Sequence, residues 1–303
     1  MAEKIRVAPF WGCMIPVKYP QMELSVRKTM APLGVELVDL DGFSCCPDPI
    51  YFKARDKVQW LTIAARNLCI AEQAGLDVIT MCSGCTSTLQ EARFLLAEDE
   101  NLKALVNQKL KKIGKEYKGT ARVKHIVVMM RDDLGIERVK SSVVRPLTGV
   151  KVGIHYGCHL LKPSQIMHID DADYPSLLET LVRAIGATPL THTEKLLCCG
   201  KGCMDEDMPL QMTHEIFDSM ESVGADVMGL ICPTCFNSFD MGQILIARKM
   251  NREFNMPVIY FCQLLGLAQG FDPEEVGLHL HRIKIDQVME TIAASETVEI
   301  VVR

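Results

Sequence analysis

The sequence predicts an α/β protein made of two homologous repeats, each a mainly parallel sheet flanked by helices. Two observations carry that reading. Short apolar runs alternate with longer stretches of helical period along the chain, and one order of cysteines occurs twice. A length of 303 residues suits two domains.

In the first half, buried strands are expected at residues 6–10, 35–40, 78–81 and 123–125, with a helix over 52–74. The second half repeats the scheme with strands at 151–154, 188–191, 227–231 and 257–260 and helices over 174–185 and 209–223. The charged stretch 91–118 reads as a helical excursion with a solvated face. Periodicity lapses at Pro146-Leu147-Thr148-Gly149, dividing the chain into 1–148 and 149–303.

Composition narrows the function classes. Hydrophobic content of 48% and charged content of 23% describe a compact globular chain and exclude disorder. A net charge of −5 supplies no basic excess for a nucleic-acid partner. No apolar run reaches the roughly 18 residues that span a bilayer, and the opening MAEKIRVAPFWGC lacks a secretory pattern. The expectation is a cytoplasmic protein without a membrane span. There, 13 cysteines point to metal or redox chemistry rather than a disulfide framework.

Their spacing is specific. Cys13 is followed after 31 residues by Cys45-Cys46, then after 35 more by Cys82-Ser83-Gly84-Cys85. Cys158 is followed after 39 residues by Cys198-Cys199, then after 32 more by Cys232-Pro233-Thr234-Cys235. Flanking residues agree: IRVAPFWGC ending at Cys13 matches VKVGIHYGC ending at Cys158. Each cysteine group falls just past an expected strand, where open parallel sheets bind ligands.

A structural zinc site needs four ligands, and each half offers five cysteines, two of them adjacent. Neighbouring residues close a poor chelate on one tetrahedral ion, so a polynuclear iron–sulfur cluster suits the set better. Zinc and a plain dithiol redox pair stand as the alternatives.

With those residues in view, both repeats resemble the CCG domain, whose Cys-Cys-Gly run is intact at Cys198-Cys199-Gly200 and reads Cys45-Cys46-Pro47 in the first half. Two copies in one chain resemble the B-subunit family of the heterodisulfide reductases of methanogenic archaea. The resemblance implies two noncubane [4Fe-4S] clusters, one held by Cys13, Cys45, Cys46, Cys82 and Cys85, the other by Cys158, Cys198, Cys199, Cys232 and Cys235. It also implies a role in methanogenesis: reduction of the coenzyme M–coenzyme B mixed disulfide, with a small iron–sulfur subunit and, behind it, a flavin subunit as partners. Pro47 and the shorter second CC-to-CxxC gap depart from the pattern without removing a ligand.

The chain has no cubane-type cysteine run and no G-x-G-x-x-G after a strand, so no flavin or nicotinamide is expected to bind here. CCG domains in glycolate and lactate oxidases commonly carry a fused ferredoxin-type module, absent from this sequence. Those complexes remain the alternative setting, beside a zinc-bound scaffold.

Reducing a disulfide takes two protons with the two electrons. His155 and His159, flanking Cys158, and His125 and Tyr260, at the ends of the fourth strands, are the candidate donors. Substrate anions need cations, and Lys201 is the first candidate, with Lys162 and Lys53 behind it. Cys69 and Cys262 read as core, while Cys203 lies close enough to Cys199 for a role at the second cluster. A pseudo-twofold arrangement of the halves would bring the cysteine ends together around one cleft, each cluster taking one sulfur of the disulfide.

Overall fold

The computed structural model describes residues 4–205 and 207–302, with side chains as far as residue 294. Strands β1 (Ile5–Phe10), β2 (Val35–Leu37), β3 (Val78–Thr80) and β4 (Val123–His125) form one four-stranded sheet in the order β2-β1-β3-β4. Strands β5 (Lys151–His155), β6 (Thr188–Leu190), β7 (Val227–Leu230) and β8 (Val258–Tyr260) form a second, ordered β6-β5-β7-β8. Every pairing is parallel, so both sheets have one topology. Register aligns the carboxyl ends. Phe10, Thr80 and His125 lie level across the first sheet, and His155, Leu230 and Tyr260 across the second.

Helix boundaries follow local chemistry. The helix expected over 52–74 is two, Tyr51–Arg55 and Lys57–Ala74. Between them Asp56 is extended, with φ of −151°, and its carboxylate accepts a hydrogen bond from Gln59 N at 2.9 Å. Gly75 ends the longer helix at a φ of 66°, a left-handed geometry that favours glycine. In the second half the helix expected from 174 starts at Leu177, because Asp170 binds the backbone N–H groups of Ser176 and Leu177 at 2.8 and 2.7 Å and holds that entry open. Strand β2 stops at Leu37 rather than at 40, and the chain turns away through Gly42, whose φ is 93°. The charged stretch divides between helices Ser83–Glu98 and Glu100–Lys111. The second buries Val106 and Leu110 and leaves its charged residues to solvent.

One hydrophobic core runs through both halves and includes Phe10 and Trp60 from the first and Phe217, Phe236 and Phe239 from the second. Behind the sheets, helix Phe261–Ala268 packs on helix Pro20–Met30. Gly266 permits the approach, since a Cβ there would stand 3.3 Å from Thr29 Cγ2, and Gln269 Nε2 donates to Thr29 O at 3.2 Å. Further bonds join the halves at the front. Tyr19 OH donates to Asn237 at 2.7 Å, and Tyr51 OH to Gly202 O at 2.6 Å.

Candidate metal centre

The single cysteines and the CxxC pairs are placed by the strands before them, whereas Cys45-Cys46 and Cys198-Cys199 come eight residues after β2 and β6 end and not just past a strand as expected. Gly12 and Gly157 follow β1 and β5 with φ of 68° and 72°, turning the chain so that Cys13 and Cys158 face the sheet ends. A Cβ on Gly12 would crowd Cys85 Sγ at 2.9 Å, while one on Gly157 would reach contact distance, 3.4 Å from Cys235 Sγ, and there the left-handed φ is what favours glycine. Strands β3 and β7 each lead into a helix whose N-cap is the first cysteine of a CxxC pair, Cys82 or Cys232, and whose first turn holds Cys85 or Cys235.

The thiols form one continuous path. In the first half contacts run from Cys13 to Cys45, Cys46, Cys85 and Cys82. In the second they run from Cys158 to Cys198, Cys199, Cys235 and Cys232. The two strings meet where Cys82 Sγ lies 3.8 Å from Cys232 Sγ. Equivalent cysteines thus succeed one another in mirrored order, and the carboxyl ends of the two sheets face each other. All thirteen cysteines are free. Among the described residues no group of three His, Cys, Asp or Glu side chains is placed to hold a single metal ion.

Crowding splits the thiols electrostatically. Hydrogen bonding to Cys46, with burial behind it, pushes Cys85 well above its ordinary value. Hydrogen bonding to Cys199 does the same to Cys235. Cys232 moves the other way, because hydrogen bonds from Cys235 and Cys82 stabilise its thiolate.

All five cysteines of the second set line one cavity of about 140 Å³. The first half closes it: Asp48, Pro49, Ile50 and Tyr51 form part of the wall together with Ser83 and Gly84. His159 and Lys201 are on the lining, with Lys201 exposed at the mouth. Ser83 Oγ is buried and has no hydrogen-bond partner. Soft thiol donors, a glycine-lined wall and an orphaned hydroxyl suit an iron–sulfur group, whose sulfurs accept hydrogen bonds.

The remaining candidates lie elsewhere. Lys162 is exposed and off the cavity lining. Lys53 is tied to the buried Glu91 at 2.5 Å and lies over the Trp60 ring. His155 is fully buried at the end of β5, edge-on to Phe239, with neither ring nitrogen partnered. Burial holds it down to about 4. His125 and Tyr260 lie within the interface between the halves. His125 Nε2 donates to Ile231 O at 3.1 Å while its Nδ1 accepts from Val127 N, and Tyr260 OH donates to Met81 O at 2.8 Å. Neither lines the cavity. Cys203 lies on a neighbouring surface groove beside Asp205 and Pro209, while Cys69 and Cys262 are buried. Ser83 and the 48–51 wall escape the sequence reading, because they act on the repeat to which they do not belong.

Fold and site together define a duplicated, cysteine-rich α/β protein with its thiols gathered between the carboxyl ends of two sheets. The chain belongs to the CCG cysteine-rich domain family, whose profile matches residues 7–90 and again 152–240. It is similar to the B subunit of the ferredoxin/F(420)H(2)-dependent CoB-CoM heterodisulfide reductase of Methanosarcina acetivorans, with 39% identity over 92% of this chain and 94% of that one. The 8-methylmenaquinol:fumarate reductase membrane anchor subunit of Wolinella succinogenes is 31% identical over 89% of this chain and 94% of its own length. A solved hypothetical protein from Helicobacter pylori shares the fold, with a TM-score of 0.74 and 18% identity over 92% of this chain. The chain spans about half of that one, 52%. These relationships make the chain an iron–sulfur redox subunit of a multi-subunit oxidoreductase. Among the described residues, no helix is long and apolar enough to cross a membrane.

Proposed function

We propose that this chain is the catalytic subunit of a heterodisulfide reductase, reducing the mixed disulfide of coenzyme M and coenzyme B to two thiols in methanogenesis. The observation that carries the reading is the meeting of the two thiol strings at Cys82 and Cys232, 3.8 Å apart. That juxtaposition gives a two-sulfur substrate one site in each half. Cys13, Cys45, Cys46, Cys82 and Cys85 would hold one noncubane four-iron cluster, and Cys158, Cys198, Cys199, Cys232 and Cys235 the other. Residues 1–148 and 149–303 then form two cluster-bearing domains around one core.

The clusters supply electrons and soft sites for sulfur. The chain's own residues do the rest. Lys201 at the mouth attracts the anionic ends of the substrate. His159 on the lining gives one proton to a departing thiolate and water at the open mouth gives the other, so that disulfide, two electrons and two protons give two thiols. Ile50 and Tyr51 give the wall an apolar surface that stays partly open to solvent. Lacking a dinucleotide fingerprint, the chain receives its electrons from partners, a small iron–sulfur subunit with a flavin subunit behind it. Thirteen free thiols suit the reducing cytoplasm.

The 31% identity to one component of a menaquinol:fumarate reductase favours a second reading, electron transfer in a complex that acts on another substrate. Anaerobic turnover of the purified complex with the coenzyme M–coenzyme B disulfide separates the two. Stoichiometric release of both thiols is expected, and a fully loaded complex inert to that disulfide would favour the second reading.

A further inference from the structure

The two thiol sets have matching cysteines but unequal surroundings, and the inequality centres on Ser83. It belongs to the first half, between Cys82 and Cys85, yet it forms part of the wall of the second cavity beside Cys232 and Cys235. A Cβ built on Gly157 would stand 3.5 Å from Ser83 Oγ and 3.4 Å from Cys235 Sγ, so hydroxyl and thiol flank the same point. Ser83 is 1% exposed and its hydroxyl has no partner. Burying a donor without an acceptor is costly, and native structures seldom do it unless a group such as a cofactor completes the pair.

Among the described residues no other buried hydroxyl is left without a partner. The position matching Ser83 in the second repeat is Pro233, which carries neither a hydroxyl nor a backbone N–H. The hydroxyl beside the first set, on Thr88, is already engaged, with Pro47 O at 3.1 Å and with the Cys46 thiol. A second unpartnered donor, His155, likewise belongs to the second half, and Phe10 holds its place in the first.

We propose that Ser83 Oγ donates a hydrogen bond to a sulfur of the iron–sulfur group held by Cys158, Cys198, Cys199, Cys232 and Cys235, making that group easier to reduce than its counterpart. The proposal rests on the cluster reading above. A hydrogen bond to a cluster sulfur draws off negative charge that grows on reduction, so it stabilises the reduced form and raises the potential. Ser83 is thus a positioning and tuning residue contributed by one repeat to the other, and electrons settle first on the second group.

The test is a potentiometric titration of the anaerobically prepared complex, followed by electron paramagnetic resonance. Wild type should show two separate reduction steps. Ser83→Ala should move the more positive step to lower potential and leave the other in place, while Ser83→Thr, which keeps the hydroxyl, should restore it. Iron and acid-labile sulfide are measured first on every sample. Their absence from wild type overturns the cluster reading and this inference with it. Loaded Ser83→Ala with both steps unmoved, or with both moved equally, overturns this inference alone. Should Ser83→Ala load poorly, Pro233→Ser gives an independent reading: restoring a hydroxyl at the matching position should bring the two steps closer together, and an unchanged gap counts against the proposal.

Discussion

Tyr260 and Met81 are tied together across the two halves, the phenol donating to the backbone carbonyl at 2.8 Å, and His125 returns the bond to Ile231 at 3.1 Å. Each carbonyl belongs to the residue immediately before a cysteine, Cys82 or Cys232. Two of the four side chains that the sequence offers as proton donors, His125 and Tyr260, thus sit as a reciprocal pair of fasteners. Their hydrogens are committed to carbonyls, and burial keeps His125 neutral by lowering it to about 4.

Tyr260→Phe should therefore act on stability. It leaves a buried carbonyl without its donor, at a cost of about 1–3 kcal/mol. Thermal unfolding checks this, with a lower melting temperature expected and turnover per loaded protein close to wild type. Unchanged stability with a large loss of turnover would return Tyr260 to proton delivery.

His159 and Lys201, on the cavity lining, carry the opposite expectation. His159→Gln should slow disulfide reduction by about 10²- to 10⁴-fold with iron content unchanged, as for a lost general acid. Lys201→Ala should raise KM more than it lowers kcat, because it acts on an anionic substrate at the mouth. Steady-state kinetics with matched iron analyses distinguish these outcomes.

The glycines before the first cysteine of each set make a graded prediction. Gly12 leaves less room than Gly157, 2.9 Å against 3.4 Å to the facing thiol, and both hold positive φ. Gly12→Ala should therefore lose more iron and sulfide than Gly157→Ala, because the methyl group displaces Cys85 as well as straining the turn. Equal losses would mean that backbone strain alone decides.

A pH dependence follows from His281, buried and held at about 4 by desolvation, with Nδ1 on Val258 O and Nε2 on Gln263. In the unfolded chain it titrates near its ordinary 6.5. Between those values the unfolded state binds the extra proton, so folding stability falls as pH drops from 6.5 toward 4, by about 3 kcal/mol at most, and is flat in this contribution above that window. Chemical denaturation across the window checks the slope, which should become shallower in His281→Asn while His125 and His155, lowered in the same way, keep their shares.

The parts of this architecture legible in the sequence are those encoded locally and twice. Cysteine spacing, the glycines before Cys13 and Cys158, and the strand runs ending at His125 and Tyr260 each repeat, so one copy supports the other. Contacts between the copies leave no such trace. In the sequence Ser83 is only a residue between two cysteines, and Ile50 and Tyr51 only precede an expected helix; the other half of the chain makes them part of the wall of the second cavity. Asp56 escapes for another reason: a single capping carboxylate breaks a helix whose apolar period continues straight through it.

The fasteners at His125 and Tyr260 also bear on why the repeats share one chain. In a homodimer of a single repeat, the residue on one side of the axis is by necessity the residue on the other. Covalent tandem linkage removes that necessity, and the facing positions have since diverged: histidine opposite tyrosine, serine opposite proline, phenylalanine opposite histidine. Tandem linkage thus lets the two halves differ at matching positions, a freedom that two identical protomers do not possess.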